Sequence, residues 1–360
     1  MRENIFCKQM NNVLDDKARN QVANWLFLGV AMIVIQVLLG GVTRLTESGL
    51  SITEWKPITG TLPPLNDADW QTEFSKYQGT DQFKYVHHDF SLSDFKFIFF
   101  WEWFHRVWAR LMGMVFLIGF IYFVVSKKIK KEMILPMVIL FLLGGLQGAV
   151  GWLMVKSGLV PEKYFVGHIE LTVHLIFALL LLTYTLWFAL KLKLPARQVV
   201  ENPFLNKLLI IIAFVCFFQL IYGGFMAGMR AAVMAPTWPD INGYIIPPGM
   251  AVMYPFIKNV FYNPVTIHFI HRTLAYLLFA LVIFGWFKSS KAILKNRLFS
   301  GLWMVTFLLI ITQVILGIFT VLNSMYANRL IVLGVSHQFT GLLLVMVITC
   351  LLFITKRKAF

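Results

Sequence analysis

LLIIIAFVCFFQLIYGGFMAGM, residues 208–229, contains no charged side chain. A helix of about 20 apolar residues crosses the hydrocarbon core of a bilayer, so this segment predicts a transmembrane helix. The rest of the chain has the same character: 58% of its 360 residues are hydrophobic, 14% are charged, and the mean hydropathy is +0.72. This composition excludes an ordinary soluble domain. Further segments of this kind lie at 22–43, 98–125, 134–155, 168–190, 265–287, 301–322 and 331–355.

The eight segments predict an all-α, polytopic membrane protein, because a backbone in lipid must satisfy its own hydrogen bonds. Lys and Arg residues are concentrated on one side of the alternating segments, at 2–19, 127–131, 191–207, 288–297 and 356–358. The positive-inside rule therefore places both termini in the cytoplasm. This sidedness accounts for the net charge of +15, and we expect no nucleic-acid partner.

The polar N-terminus, with Asp15 and Asp16, is unlike a signal peptide or a mitochondrial presequence. We therefore expect a multi-pass protein of the bacterial inner membrane, surrounded by lipid. The three cysteines, Cys7, Cys216 and Cys350, have no spacing that predicts a disulfide, a zinc site or covalent haem attachment.

The chain is organised as two related halves. Gln36-x-x-x-Gly40-Gly41 of the first segment matches Gln219-x-x-x-Gly223-Gly224 of the fifth, with Gln313-x-x-x-Gly317 in the seventh and Gly144-Gly145 in the third. We interpret these residues as a seam for helix packing, since small residues let helices approach and amides hydrogen-bond across them. Two pseudo-symmetric four-helix bundles follow. The predicted parts are a tail at 1–21, the halves at 22–190 and 208–355, a cytoplasmic linker at 191–207 and a basic tail at 356–360.

Four histidines repeat in the even segments. His105-Arg106 of the second matches His271-Arg272 of the sixth, and His174 and His337 follow at similar offsets. All even helices run from outside to inside, so these imidazoles lie at one shallow depth and can form two pairs. Facing helices of a bundle commonly bind haem iron through two such ligands. A single histidine in lipid is more often a helix-to-helix donor, but four at matched depth favour ligation. His168 and His268 are alternative ligands, while His87 and His88 fit solvated loop positions better than a metal site.

Only the first half has a carboxylate beside its histidine pair. Glu102 precedes His105 by three residues and shares its helical face, where the second half has His268. One interpretation is an interfacial residue paired with Arg106 or Arg110. The other is a desolvated carboxylate that moves protons or stabilises a cation during an oxidation. The spacing alone does not separate them.

The outer ends of the odd segments carry two arginines at equivalent places, Arg44 and Arg230. Arg44 could pair with the propionates of the first haem and Arg230 with those of the second, because guanidinium binds carboxylate in a two-pronged manner. Each could equally reach the lipid headgroups. The outer loop at 44–97 is too long for a simple turn, and we expect it to form an ordered lid containing Trp55, Pro57, Pro63, Pro64 and Trp70.

Several long motifs resemble those of the heme A synthase family, in its proteobacterial and mitochondrial branch. They are GVTRLTESGLSITEWKPITGTLPP (41–64), WEWFHR (101–106), LLGGLQGAVGWLMVKSGL (142–159) and MAGMRAAVMAPTWPDINGYIIPP (226–248). The resemblance extends over nearly the whole chain. The outer-loop cysteine pair of the family's other branch is absent, so no thiol step is expected.

The resemblance implies an enzyme that oxidises the C8 methyl group of haem o to a formyl group through successive hydroxylations. The product is haem A, and a b-type haem acts as electron relay. On this sequence the substrate haem would be held by His105 and His174, with Glu102 as the acidic residue, and haem b by His271 and His337.

Two other functions use the same histidines. A di-haem b-type electron carrier would need all four and no Glu102, and a haem transporter or assembly factor would need only exchangeable ligation. The farnesyltransferase that makes haem o is a candidate partner, because its product is poorly handed through water. The sequence does not identify the electron donor.

Overall fold

The computed structural model describes residues 2–54, 59–194, 200–289 and 296–356, with side chains described from Asp16 onward. It consists almost entirely of helices, and within these ranges eight helices are long and apolar enough to cross a membrane. These are α1 (Arg2–Leu45), α4 (Leu92–Val125), α5 (Lys131–Gly158), α6 (His168–Lys193), α7 (Pro203–Met229), α10 (Pro264–Lys288), α11 (Arg297–Leu322) and α12 (Ala327–Ile354). The prediction of an all-α polytopic fold is confirmed.

Short elements connect the spans at the end predicted to face outward. They are α2 (Asp67–Gln78), α3 (Asp81–Tyr85), α8 (Ala231–Met234) and α9 (Ile257–Tyr262), with 3₁₀ turns at Ser48–Leu50 and Thr59–Thr61. At the opposite end, β1 (Val200–Glu201) pairs in parallel with β2 (Thr355–Lys356). This pair joins the chain between the two halves to the end of the last span.

The first helix begins well before the apolar segment. Residues 2–21, predicted as a separate tail, continue directly into the span as part of α1. No Gly or Pro precedes Gly29, so nothing in the local sequence breaks the helix. Residues 357–360 of the predicted basic tail and 195–199 of the predicted linker lie outside the described residues.

Polar side chains fix where the spans begin. Asn202 accepts a hydrogen bond from the main-chain N–H of Leu205 at the start of α7, and Asn263 does the same for α10. In each case proline follows directly, because its fixed φ suits the first helical turn. Ser91 and Asp94 form a capping box at α4. Two of these caps, at Ser91 and Asn263, lie at the start of the helices that bear His105 and His271.

The two halves pack by equivalent contacts. Helix α1 packs on α4 as α7 packs on α10, and α5 packs on α6 as α11 packs on α12. Between the halves α6 packs on α7 and α1 on α12, so the central contacts also repeat. The second glycine of the Gly-Gly pairs in α1 and α7 lies there: Gly41 faces Gln338 of α12, and Gly224 faces Thr172 of α6. The predicted pseudo-symmetry is confirmed at the level of helix contacts.

The described part of the outer loop is folded over the outer end of α4. Phe74 and Tyr77 of α2 pack with Phe95 and Phe99 of α4 in a small apolar cluster. Trp70 meets the edges of Phe95 and Phe99 at 6.4 and 5.1 Å between ring centroids. Trp55 and Pro57, also assigned to the predicted lid, lie outside the described residues.

Candidate haem sites

Each of the four histidines lies against a glycine of a neighbouring odd span. A Cβ atom added at Gly40 would come within 3.4 Å of the His105 ring, and one at Gly151 within 2.7 Å of His174. In the second half, a Cβ atom added at Gly223 would lie 3.4 Å from the His271 ring, and one at Gly317 would lie 3.0 Å from the His337 ring. The distances at Gly151 and Gly317 are shorter than ordinary contacts, so a side chain there would press on the rings, whereas those at Gly40 and Gly223 are ordinary contact distances.

A glutamine four residues before each glycine contacts the same histidine. Nε2 of Gln147 lies 3.5 Å from Nε2 of His174. The corresponding distance between Nε2 atoms is 3.3 Å for Gln219 and His271, and also for Gln313 and His337. Gln36 instead donates to the main-chain carbonyl of His105 at 3.2 Å. The seam interpreted as helix packing therefore also lies along the candidate ligands.

Sequence reasoning missed one copy of this pattern. Gln147-x-x-x-Gly151 in α5 repeats the spacing of the other three, whereas Gly144-Gly145 is the predicted counterpart in the third segment. The structure shows open space around both of those glycines. The glutamine was the signal that identifies Gly151, because a Gln and a Gly four residues apart lie on the same face of a helix.

The histidines of each half form a pair. His105 and His174 are close enough for their charged forms to repel each other, and so are His271 and His337. The Nδ1 atoms of His174, His271 and His337 are buried and make no hydrogen bond of normal geometry among the described residues. The main-chain carbonyls of Gln219 and Gln313 lie near the rings of His271 and His337, outside the geometry of a normal hydrogen bond to Nδ1.

This donor set fits a haem iron better than a bare metal ion. Within the described ranges no group of three His, Cys, Asp or Glu side chains could hold an ion. Each half instead provides two imidazoles, one on its second and one on its fourth span, and buried nitrogens without partners are unusual unless a ligand completes them. A porphyrin supplies the remaining four ligands to its own iron, so two imidazoles are sufficient.

Glu102 is buried, with 2% of its surface exposed, and both of its oxygens are engaged. Oε2 accepts from the Ser51 hydroxyl at 2.7 Å and from the Ile52 main-chain N–H at 2.8 Å. Oε1 accepts from Arg106 at 2.6 Å, and Arg106 also donates to the Ile52 carbonyl. Of the two predicted partners, Arg106 is thus a partner of Glu102. The group ties the outer loop to the helix that bears His105.

The second half has the same framework without the acid. Arg272 donates through Nε to His268 Nε2 at 2.9 Å, and through its terminal nitrogens to the carbonyls of Asp240 and Thr237 at 2.6 and 2.5 Å. His268 therefore occupies the position equivalent to Glu102, and it accepts a hydrogen bond from Arg272 as Glu102 does from Arg106. The other alternative ligand, His168, bonds through Nε2 to the Phe261 carbonyl at 2.8 Å. Their ligation of iron stays a prediction.

The two outer arginines cross between the halves. Arg230 at the end of α7 pairs with Glu47 of the first half at 2.6 Å, and its guanidinium lies 3.8 Å from the ring centroid of Phe165. Arg44 of α1 donates to the main-chain carbonyl of Ala227 in α7. These contacts are neither of the two predicted kinds. Pairing with propionates stays a prediction for both residues.

His87 is not solvated as expected. It is 6% exposed, stacks on Phe90 at 3.9 Å, and bonds to Tyr77 at 2.6 Å and to Glu47 at 3.3 Å. Burial acts to raise the pKa of Glu47, but the hydrogen bond to His87 and the positive charge of Arg230 outweigh it, so this pKa is lowered. Burial, together with the charges of Glu102 and Glu47, raises the pKa of Tyr77. Glu47 thus joins the folded outer loop to the second half.

Comparison with known proteins places the chain among full-length relatives. Residues 23–349 match the family described as cytochrome oxidase assembly protein, COX15-CtaA. The heme A synthase of Flavobacterium johnsoniae is 38% identical over 338 residues, which cover 92% of this chain and 97% of the relative. That of Nitrosospira multiformis is 41% identical over 328 residues, 90% of each chain.

Proposed function

Because this chain belongs to the cytochrome oxidase assembly protein family COX15-CtaA, we propose that it is a heme A synthase. It would oxidise the C8 methyl group of haem o to a formyl group and so provide haem A for terminal oxidases. The observation that carries the proposal is the asymmetry between otherwise equivalent sites. Both halves hold a histidine pair, and only the first has a buried carboxylate, Glu102, on the ligand helix.

We propose that the first half binds the substrate, haem o, and that His105 and His174 would ligate its iron. His271 and His337 would hold haem b, which when bound supplies one-electron chemistry to the first half. Arg44 and Arg230, at the outer ends of α1 and α7, are the residues proposed to meet the propionates. Each would have to exchange a protein acceptor for a propionate oxygen.

Glu102 would place a fixed carboxylate on the helix that bears His105, about one helical turn from this proposed ligand of the substrate haem. Its three hydrogen bonds come from a hydroxyl, a main-chain N–H and a guanidinium, so the carboxylate is fixed in place before substrate binds. Preorganised charge of this kind stabilises a cation that develops during oxidation without reorganisation at that moment. Between the two roles proposed for a desolvated acid, the geometry favours stabilising a cation over moving protons.

A di-haem b-type electron carrier is the second candidate. The observation in its favour is that the two histidine pairs are built alike, down to the glycine that faces each ring. Electron transfer between two similar haems would need nothing more. It would leave the buried Glu102–Arg106 pair with a purely structural role.

The discriminating experiment replaces Glu102 and follows the haems extracted from the membrane. We expect Glu102→Gln to accumulate haem o and to lose haem A, while both low-spin haem signals remain. Glu132→Gln, an exposed carboxylate at the opposite end of the same half, is the matched control and should make haem A normally. Normal haem A from the Glu102→Gln protein would remove this residue from the chemistry and favour the carrier.

We also propose a location in the bacterial inner membrane with both termini cytoplasmic. The concentration of Lys and Arg at the end where α1 begins and α12 ends supports this orientation. Direct transfer of haem o from the farnesyltransferase that makes it is proposed on chemical grounds, since the farnesyl chain keeps haem o in lipid. An electron donor, of unspecified identity, completes the list of proposed partners.

A further inference from the structure

The interior face of α5 is interrupted next to the first histidine pair. From the end opposite the outer loop, the buried residues of this face, each at most 5% exposed, are Met133, Met137 and Leu140. Gly144 comes next at helical spacing, and a Cβ atom added there would meet nothing within 4 Å. Gly151, which lies against the His174 ring, is on the same face. The buried face therefore has a gap between Leu140 and the candidate ligand.

The second half has a large side chain at the equivalent position. Gly151 of α5 matches Gly317 of α11, since each lies against the ring of a candidate ligand. About two helical turns before these glycines, the first half has Gly144 and the second half has Ile310. Ile310 is 2% exposed and belongs to the buried core of the second half. The interior face of α11 is thus filled at the position where that of α5 is open.

Helix α4 shows the same difference. Its Gly119 lies on the flank that packs on α1. A different flank carries Gly113, and a Cβ atom added there would also meet nothing within 4 Å. Gly113 follows His105 by the same number of residues as Phe279 follows His271. Phe279 is partly buried and packs against the second-half core, so α10 is filled where α4 is not.

These open positions coincide with a difference in helix packing. In the second half α10 packs on α11, and the rings of Trp286 and Phe307 lie 4.9 Å apart between centroids. Within the part of the chain that the structure describes, α4 and α5 have no packing contact of comparable extent. A short turn joins these two helices at the end opposite the outer loop. The space beside Gly113 and Gly144, which leads from there toward the histidine pair, is called the α4–α5 cleft.

The chemistry of the cleft indicates a hydrocarbon ligand that continues from the histidine pair. Nδ1 of His174 is buried without a hydrogen-bond partner among the described residues, and a Cβ atom at Gly151 would lie 3.3 Å from it. Such atoms are unusual unless a ligand completes the site. Further along the cleft, segments 111–120 of α4 and 137–146 of α5 contain no polar side chain. A group that extends from the histidines into the cleft must therefore be apolar.

We propose that the α4–α5 cleft binds the isoprenoid chain of the substrate haem. The proposal rests on the proposed function, in which His105 and His174 hold haem o and the second half holds haem b. Haem o carries a farnesyl chain where haem b has a vinyl group. Only the first half then needs room for a long chain, which agrees with the glycines there and with Phe279 and Ile310 in the second half. The chain would gain dispersion contacts with both helices.

The test places the second-half residues in the cleft of the purified full-length protein, in lipid nanodiscs. Gly113→Phe and Gly144→Ile occupy the space that the chain needs, while the histidine pair is unchanged. Haem o and haem b, which lacks the chain, are titrated separately. Binding to the first half is followed by the low-spin absorbance that His105→Ala removes. We expect haem o to bind about tenfold more weakly to each variant, because leaving even a few methylene groups without room costs this much. Affinity for haem b should be unchanged.

Gly301→Ile is the matched control, since Gly301 is an open, exposed glycine of α11 outside the cleft. The resident haem of the second half reports that each variant is folded, and Gly144→Val replaces a variant that is not. Weaker binding of haem o alone, in the cleft variants but not in the control, supports the proposal.

Two results overturn it. One is an unchanged affinity for haem o, as expected if a lipid acyl chain occupies the cleft. The other is an equal loss of affinity for both haems. Failure of the proposed function gives a different result: wild-type protein then binds neither haem in the first half, or His105→Ala keeps the first-half absorbance.

Discussion

Alanine at Gly151 should displace His174, and α5 provides its own control. A Cβ at Gly151 would lie 2.7 Å from Cε1 and 3.3 Å from Nδ1 of His174, whereas one at Gly148 would meet nothing within 4 Å. Both substitutions gain the same helix propensity, about 1 kcal/mol. The difference between them therefore isolates the clash, which for an overpacked site costs about 1–3 kcal/mol.

The measurement compares the free energy of unfolding of Gly151→Ala and Gly148→Ala in mixed detergent micelles. We expect Gly151→Ala to be the less stable by about 1–3 kcal/mol. It should also bind less haem in the first half, because the ring must move away from its position. Gly144→Ala, equally open, should behave like Gly148→Ala. Equal stability and equal haem content in all three variants would refute the view that the glycine is needed for the approach of the ring.

The remaining predictions concern the outer network, the folded loop and the alternative ligand. Glu47→Gln should weaken the contact between the halves by about 1 kcal/mol, an amount typical of partly exposed ion pairs, as measured by thermal unfolding. The pKa of Glu47 is lowered in the folded protein, so its contribution is present above the unfolded pKa of about 4.3 and is lost as the pH falls through the folded value. Glu47→Gln should therefore flatten the acid limb of the stability profile, and an unaltered limb would contradict this. Phe74→Ala should open the loop cluster at a cost of about 3–5 kcal/mol and speed proteolysis between 59 and 91, with Phe97→Ala, an exposed neighbour, as control; equal cleavage rates would count against a folded loop. His268→Ala should keep the b-type haem spectrum that His271→Ala loses, and a loss in both would make His268 a ligand.

The membrane topology could be predicted because its determinants are local. A run of apolar residues is a property of the segment itself, and each predicted segment coincides with one of the eight spans, although the last exceeds its span by one residue, Thr355. The repeat of His105 and His271 was equally visible, since both halves keep the same order of residues. Helix ends were less certain: α1 extends back to Arg2 because polar residues without Gly or Pro continue a helix outside the lipid.

The partners of the charged residues could not be predicted in this way. Arg44 and Arg230 were expected to meet propionates or headgroups, but each reaches the opposite half of the protein. His87, expected in solvent, is buried by Phe90 and Tyr77 of a loop whose fold no periodicity predicts. Such contacts join residues far apart in the chain, so their energies do not appear in any single segment.

Hydropathy and residue spacing were enough to predict the number of spans and the repetition of four histidines in the even spans, because both are properties of single segments. Packing between distant segments places a glutamine and a glycine of another span beside each histidine, and it holds Glu102 between Arg106 and the outer loop. The physical reason is that the rotation of each helix about its axis is set by its packing against the others, and only that rotation brings the amides to the imidazoles.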